Sequence, residues 1–495
     1  MSKPTTVLDR RRAGILLHLT SLPDGFGNGD MGLAAYRFIE FLEAAGASVW
    51  QLLPLGPTHA DGSPYQSLSS HAGNPLLISP DWLSDRGWLK FNRRPAPPDA
   101  PNEVRHRCLH QAFLAFTGDR GKAVNADYQD FIGRHGYWLE DYALYIALKQ
   151  SFAGKSWQDW PEPLRFREPQ ALQEVSGRLR ARIEEVKFEQ FVFFSQWAEI
   201  RAYANHRGIR LFGDMPIFVA EDSADVWAHQ EYFDLNDQGR PRVVAGVPPD
   251  YFSATGQRWG NPHYHWTRLK QNGFDWWIDR IRTQLALFDW IRIDHFRGFE
   301  ACWEIPATEP TASSGRWVKA PGDALLAKIQ ESFDPLPLIA EDLGIVTPEV
   351  EQLRDQYGLP GMKILQFAFD SDAENPYLPH NHLPNSIVYT GTHDNEPSVA
   401  WADSLSSEQR ARIRDYLGCD RTPIAHLLMR CALSSVARLA VLPMQDVLDL
   451  GIGHRMNRPG TLEGNWQWRF SWSQLSDEKI ARLAHWIRLY ARSVN

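Results

Sequence analysis

Eight short apolar segments, separated by longer mixed stretches, constrain this chain of 495 residues more than any other feature. They lie at residues 14–23 (GILLHLTSLP), 48–57 (SVWQLLPLGP), 209–217 (IRLFGDMPI), 289–294 (DWIRID), 338–341 (LIAE), 362–369 (MKILQFAF), 387–392 (IVYTGT) and 439–444 (LAVLPM). Each is too short for a helix and too rich in branched apolar residues for a loop, so each reads as a buried strand. Between the first two, residues 34–45 (AAYRFIEFLEAA) place apolar side chains at helical spacing and stop at Gly46. That unit is strand, helix, strand. Further helical stretches at residues 191–206 and 348–357 fall in the order that a parallel α/β fold needs, and eight such strands predict a (β/α)8 TIM barrel.

The spacing of the strands is uneven. About 150 residues separate the second from the third and about 70 the third from the fourth, far beyond a minimal crossover. The chain is therefore expected to form a single barrel over residues 1–495, with subdomains inserted in its βα loops at 66–190 and 219–285. A Pro-rich segment at residues 94–101 (RPAPPDAP) reads as a connection inside the first insertion, because no change of composition marks an independent domain.

Three of the segments deliver an acid where the strand should stop: Asp294, Glu341 and, at the end of residues 387–394 (IVYTGTHD), Asp394. A β/α barrel points the carboxyl ends of its strands into one pocket, so acids far apart in sequence can converge there. Any one of them could simply cap the following helix. Three together favour catalysis. Asp214 follows the third strand, and Arg292 stands two residues before Asp294 on the same face of its strand. A guanidinium beside an acid lowers the pKa of that acid and keeps it ionised, although Arg292 suits a structural ion pair equally well. His393 can bond a hydroxyl or sit as a satisfied core residue.

Composition removes other classes. The 60 acidic and 52 basic residues leave a net charge of -8, and the bases are scattered, so nucleic acid is not an expected partner. No apolar run reaches the roughly 18 residues of a membrane span. No signal peptide is recognisable and the four cysteines form no CxxC pair, which predicts a cytoplasmic protein. The HxH pairs His263/His265 and His380/His382 end no convincing strand and no HExxH or GxSxG motif accompanies them, so neither metal nor cofactor is expected.

Chemistry that needs only carboxylates remains. Retaining glycoside cleavage uses one ionised carboxylate as nucleophile and one protonated carboxyl as acid, and a third acid can stabilise the oxocarbenium-like state. The 20 tryptophans fit a sugar substrate. Trp276 and Trp277 have helical neighbours and read as core, whereas Trp259, Trp317, Trp466 and Trp468 sit beside glycine or proline, where an indole can stack on the apolar face of a pyranose.

At these residues the chain resembles the amylomaltases, or 4-α-glucanotransferases, of the α-amylase clan. The matching stretches are SPYQSLSSHAGNPLLI from Ser63, GDMPIFVAEDSADVWAH from Gly213, VAGVPPDYFSATGQRWGNP from Val244, IRIDHFRGFE from Ile291, IAEDLG from Ile339 and YTGTHDN from Tyr389. The resemblance implies that Asp294 is the nucleophile, Glu341 the general acid/base and Asp394 the transition-state stabiliser. It implies that Tyr65, Asp214, Arg292 and His393 line the donor site with Asn395, and that Trp259 and the loop 246–256, which carries Asp250, cover the cleft. It also implies strands four, five, seven and eight at Asp294, Glu341, Asp394 and residues 441–446, with Trp303 in an excursion. The activity implied is transfer of an α-1,4-glucan segment from a donor maltodextrin to the 4-hydroxyl of an acceptor by a monomer or weak homodimer. Two alternatives remain: a hydrolase using the same acids, which would raise the number of reducing ends, and a non-catalytic glucan-binding protein, which would tolerate loss of Asp294.

Overall fold

The computed structural model describes residues 6–23, 27–90, 101–118, 124–249, 253–461 and 463–493. Among them twelve strands form: β1 (Arg12–Leu16), β2 (Val49–Gln51), β3 (Arg210–Pro216), β4 (Val243–Val247), β5 (Gln257–Pro262), β6 (Trp290–Asp294), β7 (Ala301–Pro306), β8 (Arg316–Lys319), β9 (Leu338–Ala340), β10 (Gly361–Ile364), β11 (Ser386–Tyr389) and β12 (Leu439–Pro443). Eight of them pair in the order β10-β11-β12-β1-β2-β3-β6-β9, every pair parallel. A bond of 2.9 Å from the Ala340 N–H to the Pro360 carbonyl brings β9 beside the start of β10 and completes the ring. This is the eight-stranded β/α barrel, and its strands fall in all eight segments read from sequence.

Several strands stop earlier than the apolar runs do. β1 ends at Leu16 and β2 at Gln51, after which the Leu17 N–H reaches the Gln51 carbonyl at 3.0 Å and the Leu52 N–H reaches the Phe212 carbonyl at 2.9 Å. The remaining apolar residues of those runs stay buried in loops across the barrel mouth: Leu19, Leu22, Leu53 and Leu55 are nearly inaccessible. Apolarity reported burial there rather than strand. Residues 365–367 do the same, coiling into a 3-10 turn immediately after β10.

The first crossover helix, Leu33–Ala45, buries Ala35, Phe38, Ile39 and Leu42 and ends at Gly46, whose left-handed φ of 75° suits a residue without Cβ. Inside the barrel the Trp50 indole donates to the Leu17 carbonyl at 2.8 Å and the Tyr389 hydroxyl donates to Gln51 at 3.0 Å, so these two polar rings are satisfied. Trp276 and Trp277 are core residues as expected, and so is Trp468, which the sequence placed among the loop platforms: it is 8% exposed and donates to His454.

Between β2 and β3 run the helices Pro101–Thr117, Asn125–Ser151 and Pro169–His206, the last of 38 residues leading into β3. Residues 94–100 of the Pro-rich segment lie outside the described residues. Beside the barrel mouth, β4, β5, β7 and β8 form an antiparallel sheet in the order β5-β4-β7-β8, which places Trp303 off the barrel. Among the described residues no helix is long and apolar enough to cross a membrane. Cys108, Cys302 and Cys431 are buried, Cys419 is partly exposed, and all four are unbridged.

Candidate active site

Parallel pairing of β3 with β6 sets Asp214 against Arg292 and Pro216 against Asp294. Gly213 lets the Phe288 ring pack against β3, since a Cβ there would lie 2.1 Å from that ring. One Arg292 nitrogen bonds both oxygens of Asp214 at 2.7 Å and lies 2.9 Å from Asp294. Arg292 is thus both things the sequence allowed, a buried ion-pair partner and the cation beside the Asp294 carboxylate. The Tyr65 hydroxyl donates to Asp214 at 2.8 Å and lies 2.9 Å from Nε2 of His393, while the two rings stack at 5.4 Å. These four side chains form one buried polar chain under the strand ends.

Glu341 continues the ladder one rung beyond β9, through a 3.1 Å bond from its N–H to the Ile293 carbonyl, so it emerges level with Asp294. Its carboxyl accepts the N–H of His295 at 2.6 Å and that of Leu343 at 3.3 Å. His295 adopts a left-handed φ of 55°, an uncommon conformation for a non-glycine residue and one that recurs at functional sites. Its ring meets Trp259 edge-on at 4.8 Å, which places that half-buried indole, carried by β5, against the residue that follows Asp294.

Asp394 comes five residues after the end of β11, on a turn held by Asn395, whose side-chain oxygen accepts from the N–H and hydroxyl of Thr392 at 2.9 Å each. The Asn395 oxygen is therefore committed to shaping the turn. Asp394 lies 3.4 Å from His393 and accepts from the Asn457 amide at 2.6 Å. Trp466, read from sequence as a loop platform, packs 5.8 Å from the Tyr65 ring, whereas Asn457 and Arg455 were missed as site residues. They lie in an irregular segment with no periodicity, and only the GNWQW tryptophan left a signal. Asp250 lies outside the described residues.

The two central acids are held differently. Burial pushes the Glu341 carboxyl up to about 8, with the nearby Asp294 charge adding to the rise and Arg292 and the His295 N–H opposing it. Burial also raises Asp294, but the adjoining Arg292 guanidinium limits it to about 6 against the charges of Asp214 and Asp394. The Arg292 guanidinium lowers Asp294 as expected from sequence, but desolvation by burial, which the sequence does not show, outweighs it and makes the net shift upward. Of the two acids, Glu341 is thus the one that holds a proton more readily. Burial also keeps His393 below its ordinary value, hence neutral beside Tyr65. The histidines of the second HxH pair are engaged elsewhere, His382 with Ser435 at 2.7 Å and His380 with Tyr416 at 2.8 Å. Among the described residues no three His, Cys, Asp or Glu side chains are grouped to hold a metal.

A β/α barrel that gathers three acids at the ends of its strands, beside a buried chain of polar groups, has the arrangement of a carbohydrate-active enzyme. The chain belongs to the 4-alpha-glucanotransferase family, whose profile matches residues 17–475. It is 50% identical over 487 residues to the 4-alpha-glucanotransferase of Thermus thermophilus, covering 96% of this chain and 97% of that one. It is 47% identical over 501 residues to that of Synechocystis sp., covering 99% of each. The amylomaltase of Streptococcus agalactiae, solved in complex with acarbose, superposes with a TM-score of 0.94 at 38% identity, covering 98% of this chain and 100% of that one.

Proposed function

We propose that this enzyme moves α-1,4-glucan segments between maltodextrins by double displacement, with Asp294 as nucleophile, Glu341 as acid and then base, and Asp394 as stabiliser. The observation that carries these roles is the geometry of the two acids, level at neighbouring strand ends, with the Arg292 guanidinium 2.9 Å from Asp294 and a backbone N–H 2.6 Å from Glu341. The ionised Asp294 oxygen attacks the anomeric carbon while the Glu341 proton passes to the departing 4-oxygen, leaving a glycosyl ester and a Glu341 carboxylate. That carboxylate takes the proton of an acceptor 4-hydroxyl, whose oxygen displaces Asp294 and restores both acids. Asp214, Tyr65 and His393, locked around Arg292, offer fixed polar groups to the donor sugar. We also propose that Asn395 serves the donor site through the turn it holds, and that the insertions at 66–190 and 219–285 build the walls of the cleft.

Transfer in place of hydrolysis requires that sugar outcompete water at the ester. The Trp259–His295 contact beside the acids supports that outcome, since an indole at this point stacks an acceptor ring and displaces solvent. Incubation with purified maltotriose tests the reading directly. Glucose and a ladder of longer maltodextrins at constant reducing ends are expected. Glucose and maltose alone, with reducing ends rising, would mean that water is the acceptor.

The activity should also show a bell-shaped pH dependence of kcat/KM. Asp294 must lose its proton, so activity rises through about 6, and Glu341 must keep its own, so activity falls through about 8. Initial rates on maltotriose from strongly acid to strongly alkaline pH check both limbs; a flat profile across this span contradicts the assignment. The four unbridged cysteines support a cytoplasmic enzyme, which cell fractionation would test, and the proposed monomer or weak homodimer is tested by light scattering of the purified protein.

A further inference from the structure

Asp394 differs from the other two acids in how it is held. Asp294 and Glu341 leave or extend barrel strands, whereas Asp394 sits on an irregular turn with its side chain 40% exposed. Neither a strand nor close packing aims its carboxylate, so hydrogen bonds must. The segment that supplies them lies more than 60 positions further along the chain. The Asn457 amide donates to Oδ1 of Asp394 at 2.6 Å, and the Asn457 N–H donates to the His393 carbonyl at 3.1 Å. Arg455 donates to the Asp394 carbonyl through one terminal nitrogen, to Glu396 at 2.8 Å through the other, and to the Asn457 carbonyl at 2.6 Å through Nε. These bonds tie the His393 and Asp394 carbonyls to residues 455–457.

We propose that Asn457, steadied by Arg455, is the positioning residue that aims Asp394, holding Oδ1 while Oδ2, 3.4 Å from Nε2 of His393, meets the substrate; this rests on the role of Asp394 in the reading above. The chemistry selects an amide. The group opposite a carboxylate must donate, must carry no proton that it can lose, and must be short enough to keep its own backbone bonds. A cation at this position would instead compete for the charge that Asp394 turns toward the reacting sugar. An acceptor would repel it.

The test compares wild type with Asn457→Ala and Asn457→Asp on maltotriose. Loss of one charge-assisted bond that matters mainly in the transition state should lower kcat of Asn457→Ala by about 10- to 100-fold, with KM within about twofold. Asn457→Asp is nearly isosteric and keeps the protein folded if the alanine variant does not. Its new carboxyl and Asp394 share one proton at acid pH, which recreates a donor, and repel each other once that proton leaves. The charged and titratable groups facing them are His393, Arg455 and Glu396, with Tyr65 and Asp294 across the cleft. The alkaline limb of the Asn457→Asp rate profile should therefore move to lower pH than in wild type. A kcat for Asn457→Ala within about twofold of wild type, together with an unmoved alkaline limb for Asn457→Asp, makes Asn457 merely structural and overturns the proposal. A wild-type enzyme that forms no maltodextrin ladder overturns the functional reading itself, which is a separate result.

Discussion

Replacing Asp294 with asparagine should lower kcat on maltotriose by about 10⁴-fold or more, the scale set by removing the nucleophile of a group of residues that act as a unit. The argument starts from what the substitution keeps. An asparagine at the end of β6 would retain the length of the side chain, and Arg292 would retain both Asp214 contacts at 2.7 Å. What is lost is the ionised oxygen that forms the ester. The amide oxygen carries no charge to give, so the first step has no nucleophile whatever the state of Glu341. Binding should survive, because the polar chain Tyr65, Asp214 and His393 is untouched. Steady-state kinetics with isothermal titration of maltodextrin separates the two effects. Residual turnover within about tenfold of wild type would remove Asp294 from the covalent role.

Much of this site was legible because its acids stand at strand ends. The apolar runs before Asp294 and Glu341 mark barrel strands, and a barrel collects strand ends by topology alone. Arg292 was legible through the two-residue period of a strand, which put it on the face of Asp294. The strand ends of β1 and β2 were less so, since buried loops over the mouth are as apolar as the strands they follow, and Leu19, Leu22, Leu53 and Leu55 carry no mark of leaving the sheet. Trp468 misled for a related reason: adjacency to a loop tryptophan says nothing about which way an indole faces.

The remainder was illegible in kind. Asn457 and Arg455 act through single hydrogen bonds across more than 60 positions, and no pattern of composition or period announces such a pairing. The sign of the Asp294 shift depends on a balance between desolvation and an ion pair, two opposing effects whose sizes are set by tertiary burial. A sequence shows that Arg292 is near. It does not show how much water reaches the carboxylate.

The second large effect separates the two acids from each other. Glu341→Gln should reduce transfer from maltotriose by about 10³-fold, the range of a positioned general acid, while maltodextrin binding stays close to wild type. The two steps of the reaction then respond differently to the leaving group. A donor that leaves without a proton, such as an α-maltosyl fluoride, needs no acid in the first step, so the Glu341→Gln variant should still be esterified at Asp294. The second step needs a base to take the acceptor proton, and glutamine cannot serve. The glycosyl-enzyme should therefore accumulate in Glu341→Gln and be visible by intact mass, whereas Asp294→Asn should show none with the same donor. Stability provides an independent sign. The folded protein holds the Glu341 proton up to about 8, against an ordinary value of 4.5, so folding is penalised progressively as pH rises from the unfolded value toward the folded one. Glutamine carries no such penalty, and at neutral pH the variant should melt at or above the wild-type temperature. Normal transfer by Glu341→Gln, or absence of the trapped ester with the fluoride donor, would take Glu341 out of the acid/base role.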